Sequence, residues 1–152
     1  MTQWSEESRK TGNVTFTSCN VGGQPINLLF EDVKIPFEPS QFGGDGTETR
    51  RTICFSGAPD EVRKQLADME GSIEASSSCM KDELIRCKIN MDKVRCFDEN
   101  RKLIDTPKTL RGWNANAQIL IRGKWKTRQA SGLSLEVTDL QLIEAREAPC
   151  PF

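Results

Sequence analysis

The residues able to do covalent chemistry in this 152-residue chain are six cysteines (Cys19, Cys54, Cys79, Cys87, Cys96 and Cys150) and a set of carboxylates, with no histidine anywhere. The cysteines contain no C-x-x-C and no cluster, so they read as reduced thiols and not as a disulfide framework. A zinc site would need close cysteine pairs, usually completed by histidine, and neither is present. The missing histidine also removes the commonest general base and every Ser-His or Cys-His nucleophile pair. The carboxylates lie in a helical pattern, in loops or near the termini, and no phosphate-cradling GxxxxGK[ST] is found. Solvated charge is their plainer account, and the expectation is a binding protein without catalysis, cofactor or metal.

The cations are more informative. A net charge of −1 hides a segregation: residues 1–85 hold 8 Lys and Arg against 14 Asp and Glu (−6), residues 86–128 hold 12 against 4 (+8), and residues 129–152 hold 1 against 4 (−3). A basic middle between acidic flanks suits a polyanion, because neutralising phosphates releases condensed counterions. Whether those cations share a face depends on the elements that carry them.

Residues 84–91 alternate, with Ile85, Cys87, Ile89 and Met91 on one side and Arg86 and Lys88 on the other. A short strand over 94–97 follows a turn and sets Lys93 and Arg95 on a common face. In the strand expected over 117–128, Arg122, Lys124, Lys126 and Arg128 share one parity, and Ile119, Ile121, Gly123 and Trp125 share the other. Four like charges in a row repel unless something anionic lies over them. Base stacking on an indole adds about 1–3 kcal/mol without regard to which base it is. Trp113, in a polar Arg-Gly-Trp-Asn loop, is the favoured platform. Trp125 is divided between core and stacking unless Gly123 shifts the register, and Phe97, beside Arg95, is a third candidate.

The remaining chain supplies the frame. Strands are expected over 14–19, 26–35, 50–55 and 133–143, with a flexible Phe-Gly-Gly-Asp-Gly loop at 42–46. One helix over about 60–75 opens at Pro59-Asp60-Glu61 and carries Val62, Leu66, Met69 and Ile73 at helical spacing. A parity switch from Leu133, Leu135 and Val137 to Leu140 and Leu142 points to a bulge near Thr138 and Asp139, and Gly123 points to a bend. The organisation expected is a loose segment 1–13 with Trp4 disordered, one β domain over 14–143, and a tail over 144–152. With 36% hydrophobic and 28% charged residues, no run of roughly 18 apolar residues for a membrane helix and no leader-like N-terminus, the chain is expected to be soluble and intracellular, not secreted.

Short strands, one amphipathic helix and aromatics among cations on a sheet face resemble an OB-fold, a small antiparallel barrel that binds oligonucleotides. Gly123-Lys124-Trp125-Lys126, with its partner Gly132-Leu133-Ser134-Leu135-Glu136-Val137, is similar to the closing hairpin of single-stranded DNA-binding proteins of phages and large DNA viruses. Bacterial and phage members end in an acidic tail tipped with phenylalanine, which Pro151-Phe152 resembles, although this tail has only Glu144 and Glu147 against Arg146. In that family the tip docks in partner proteins and the tail competes with DNA. The resemblance implies a mainly β, OB-fold-like protein that coats single-stranded DNA in replication or recombination and meets replication proteins through its tail. RNA as ligand and a homo-oligomer stay open. Two rivals remain: a capsid-like β-sandwich subunit, and a protein-interaction module using the 42–46 loop or the C-terminus.

Overall fold

The computed structural model describes residues 3–4, 8–11, 14–21, 23–41 and 49–143. The 42–46 loop and the tail with Cys150, Pro151 and Phe152 lie outside the described residues.

Period-two alternation builds most of the molecule. In chain order the strands are β1 (Gln3–Trp4), β2 (Arg9–Thr11), β3 (Val14–Asn20), β4 (Ile26–Lys34), β5 (Ser40–Gln41) and β6 (Arg50–Ser56). After helix α1 (Asp60–Ser72) come β7 (Met80–Lys81), β8 (Leu84–Asn90), β9 (Arg95–Phe97), β10 (Leu103–Ile104), β11 (Asn114–Lys126) and β12 (Ser131–Ile143). Strand β8 shows the principle: Ile85, Cys87 and Ile89 are buried while Arg86 and Lys88 are exposed.

Five strands close into a ring in the order β4-β6-β8-β12-β11 and back to β4. This is the mainly β, OB-fold-like arrangement expected. It is not wholly antiparallel, because β12 runs parallel to both β8 and β9. The ring encloses one core. Phe30 meets Phe55 edge-on at 5.8 Å, a pairing that contributes about 0.5–1.5 kcal/mol beyond burial. Ile53, Ile85, Ile119, Ile121 and Leu140 fill the space around them.

Helix α1 lays Val62 and Leu66 into this core, and full burial of one leucine contributes about 1.5–3 kcal/mol. It ends at Ser72, short of the expected 75, because the chain turns back on it. Glu74 takes a φ of 52°, the amide of Ala75 donates to the Glu70 carbonyl, and the Glu70 carboxylate accepts from Ser78 Oγ (2.7 Å) and the Cys79 amide (2.8 Å). Cross-bonds between Ser76, Ser77 and Ser131 then fasten this return segment to the start of β12.

Three local expectations change. The described part of 1–13 is paired, with Trp4 opposite Cys19 and Arg9 opposite Phe16, so Trp4 is ordered against β3. Runs of two or three residues are too short to show alternation, and only β3 gives them a partner. Residues 98–112, where no strand is expected, include β10, which forms a hairpin with β9. Strand β11 begins at Asn114, three residues before the expected start, since Ala115 and Ala117 are buried core positions.

Candidate nucleic-acid interface

Two irregularities in the β11–β12 pair decide which side chains reach the outer surface. The first falls where the parity switch placed it. Gln118 pairs with Asp139 and Ile119 with Val137, leaving Thr138 as the extra residue, its hydroxyl donating to the Gln118 carbonyl. The second lies at Arg122: Ile121 pairs with Leu135, but Gly123 pairs with Ser134. One extra residue in a strand reverses the faces of everything beyond it.

Gly123 permits this shift by letting β3 cross close by. A Cβ there would lie 2.0 Å from the Thr17 carbonyl oxygen, a distance no carbon can occupy. Beyond the shift, Trp125 is paired with Phe16 and Gly132, and so shares the outer face with them. Gly132 makes room for the indole, since a Cβ on it would sit 3.0 Å from the ring. Trp125 therefore leaves the core parity it shares with Ile119 and Ile121 in the sequence and joins Arg122.

The outer face carries two adjoining cavities that share Lys88 and Ser134, and together they form a groove across β6, β8, β12, β11 and β3. One, of about 380 Å³, holds Trp125, Arg86 and Lys88, with Ser77, Ser78 and Cys79 of the return segment as a wall. The other, of about 410 Å³, holds Arg50, Lys88, Lys93, Arg122 and Phe16. Residues of the two basic segments, 86–95 and 122–128, thus meet in space. Among the described residues no ion pair involves Arg50, Arg86 or Lys93. Arg122 pairs with Glu136 while its side chain stays 51% exposed. Such a surface pair contributes about 0–1 kcal/mol and leaves donors of the guanidinium fork for another oxyanion.

The other expected site residues lie elsewhere. Lys124 turns to the opposite face, pairing with Thr17 and Leu133, and its ammonium sits 4.8 Å from the Trp4 ring centre. Lys126 and Lys124 line a further cavity, which the edge of Trp125 borders as well, and Arg128 is exposed in the β11–β12 turn. The expected row of four cations on one face is thus overturned by the bulge. Arg95 pairs with Asp139 at 2.6 Å and stacks over Phe97 at 5.8 Å, on the β9–β10 flank. Trp113 stands before the far end of β11, half-buried against the core, its indole N–H donating to the Thr109 carbonyl at 3.1 Å. Nine residues of extended chain, about 30 Å, separate it from Arg122, so it is not brought to the groove.

Sequence reasoning missed Arg50, Thr52 and Phe16 as groove residues. A signal existed for Arg50, because it shares parity with Thr52 and Cys54 while Ile53 and Phe55 point inward. The regional charge count concealed it by placing it in an acidic stretch.

The described cysteines are free thiols. Burial, reinforced by the Glu70 carboxylate, pushes the Cys79 thiol in the groove wall up to about 12, and burial, with the neighbouring Cys79 and Cys54 thiols adding to it, drives Cys87 well above its ordinary value. Thiols held protonated are poor nucleophiles at neutral pH. Among the described residues, no group of three or more Cys, Asp or Glu is placed to hold a metal.

No protein-family model and no curated protein matches the sequence. Solved structures match the fold, among them two of one phage protein. One is the single-stranded DNA-binding protein from bacteriophage Enc34 in complex with ssDNA, with TM-score 0.54 and 12% identity, covering 96% of this chain and 100% of that chain. The other is a C-terminal truncation of the same phage protein, with TM-score 0.55 and 12% identity, covering 94% and 98%. At that identity the likeness is one of fold, and it spans essentially the whole of both chains.

Proposed function

We propose that this protein binds single-stranded DNA without catalysis, holding phosphates with Arg50, Arg86, Lys88, Lys93 and Arg122 and stacking bases on Trp125 and Phe16. The observation that carries the reading is the convergence of these cations and aromatics, from four separate strands and a turn, in one outer groove. A cationic groove with aromatic platforms binds single strands with little regard to sequence. The Enc34 fold likeness supports DNA as the ligand.

Finer roles rest on less. The phage likeness and the closing-hairpin resemblance support a strand-coating part in replication or recombination, which would place the protein inside the cell. Docking of replication proteins by Pro151-Phe152 follows from the tail resemblance alone.

The test is fluorescence anisotropy with a labelled single strand of about 30 nucleotides, its duplex and its RNA equivalent, over a salt series. Five phosphate contacts on a single strand give a slope of about −3.5 in log affinity against log salt. Tight, salt-sensitive binding of the single strand over the duplex is the expected result. No binding at low salt removes the proposal.

A further inference from the structure

The cavity beside Trp125 differs in chemistry from the rest of the groove. Its floor is Cys87, Leu133 and Leu135, only 3%, 6% and 2% exposed, and Val14 and Cys79 line its sides. A phosphate seated on that floor would lose hydration against apolar atoms. An apolar planar ring would not. The volume of about 380 Å³ falls at the small end of the roughly 300–1,000 Å³ typical of small-molecule sites. Exposed Arg86 and Lys88 line the same cavity. They stand two residues apart on β8, a separation of about 6.6 Å that is close to the phosphate repeat of a stretched single strand. Ser77, Ser78 and Ser134 bring hydroxyls to the lining.

We propose that this cavity is a base pocket: one nucleobase of the bound strand leaves the stack and inserts beside Trp125, while its two flanking phosphates lie against Arg86 and Lys88. The pocket rests on the single-stranded DNA reading and adds to it a fixed register, in which one nucleotide per protein is held differently from its neighbours. The hydroxyls face the edge of the inserted ring and give the site its means of preferring one base.

The experiment uses the full chain and an oligonucleotide of about 12 residues, in which each position in turn is made abasic, read by anisotropy. Loss of one base from the pocket should weaken binding about 5- to 150-fold at one or two adjacent positions, with little change elsewhere. Val14→Trp, placed at a rim residue that is 39% exposed, should fill the pocket, weaken the intact strand by a similar factor and erase the position dependence. Equal small losses at every position, with V14W neutral, overturn the pocket while leaving salt-sensitive binding and the groove intact. Absence of salt-sensitive binding by the intact strand overturns both.

Discussion

Strand β11 carries two cation–aromatic groupings, one on each face, and they are built for different ends. On the outer face, Trp125 lies with Phe16 and Arg122 beside Arg86 and Lys88, along a groove. On the rear face, Lys124 sits over the Trp4 ring and beside Thr17. The rear grouping is closed: its cation already has an aromatic partner, which pins β1 and β3 to β11. The outer grouping is open, with more cations than acids along the groove and with the indole on a cavity wall. The adjacent residues Lys124 and Trp125 are thereby sent to different faces of the strand, paired with Leu133 and Gly132. A single extra residue at Arg122 makes the assignment.

The contrast is most severely challenged at Gly123. Gly123→Ala places a methyl against the Thr17 carbonyl, which forces β3 away or undoes the bulge. Overpacking of this kind destabilises by about 1–3 kcal/mol, and thermal unfolding should show it together with a loss of oligonucleotide affinity greater than that of any side-chain truncation in the groove. A variant with native stability and affinity would mean that the close crossing does not set the faces.

Trp125→Ala comes next, with an expected loss of about 1–3 kcal/mol in single-strand affinity and a small change in melting temperature. Trp4→Ala should do the reverse, lowering the melting temperature with affinity nearly unchanged. If W4A weakens binding as much as W125A, the two faces are not functionally distinct.

A finer separation comes from the salt slope. Arg86→Ala should reduce it by about 0.7, the value for one phosphate on a single strand. Lys124→Ala should leave the slope unchanged and forfeit about 0.5–1 kcal/mol of stability from its cation–π contact. A slope change in K124A would extend the ligand path to the rear face.

The smallest effect concerns the groove wall. The folded state raises the Cys79 thiol to about 12, above an unfolded thiol near 8.5–9, so the fold favours the protonated form. Its contribution is complete below pH of about 9 and is lost as pH rises toward 12. Cys79→Ala should flatten the alkaline decline in denaturant midpoint while leaving the midpoint's course at pH 6–8 parallel to that of the native chain. An unaltered alkaline decline would show that another group controls it.

Much of the fold is written locally. Alternation in β8, the spacing of Val62 and Leu66 in α1, and the parity switch around Thr138 each depend on residues within one element, because burial on one face imposes a period of two or 3.6. Those signals were enough to anticipate a mainly β, OB-fold-like domain with one helix, while cysteine spacing pointed to free thiols and the charge count to a basic segment. The site was legible only in part. Arg86, Lys88, Lys93 and Arg122 were identified by type and parity, whereas Trp113 was favoured over Trp125 because an exposed-looking loop conceals an indole packed on the core.

By itself the sequence determined which residues alternate, where the helix starts, and that cations gather in the middle of the chain. Only the tertiary structure decided which of them share a surface. The approach of β3 to Gly123 exchanged the faces of Lys124 and Trp125, and the β6–β8 pairing brought Arg50 beside Asn90 and Thr52 beside Lys88. The physical reason is that parity is a local property, while the register that fixes parity to a face is set by contacts between strands distant in sequence.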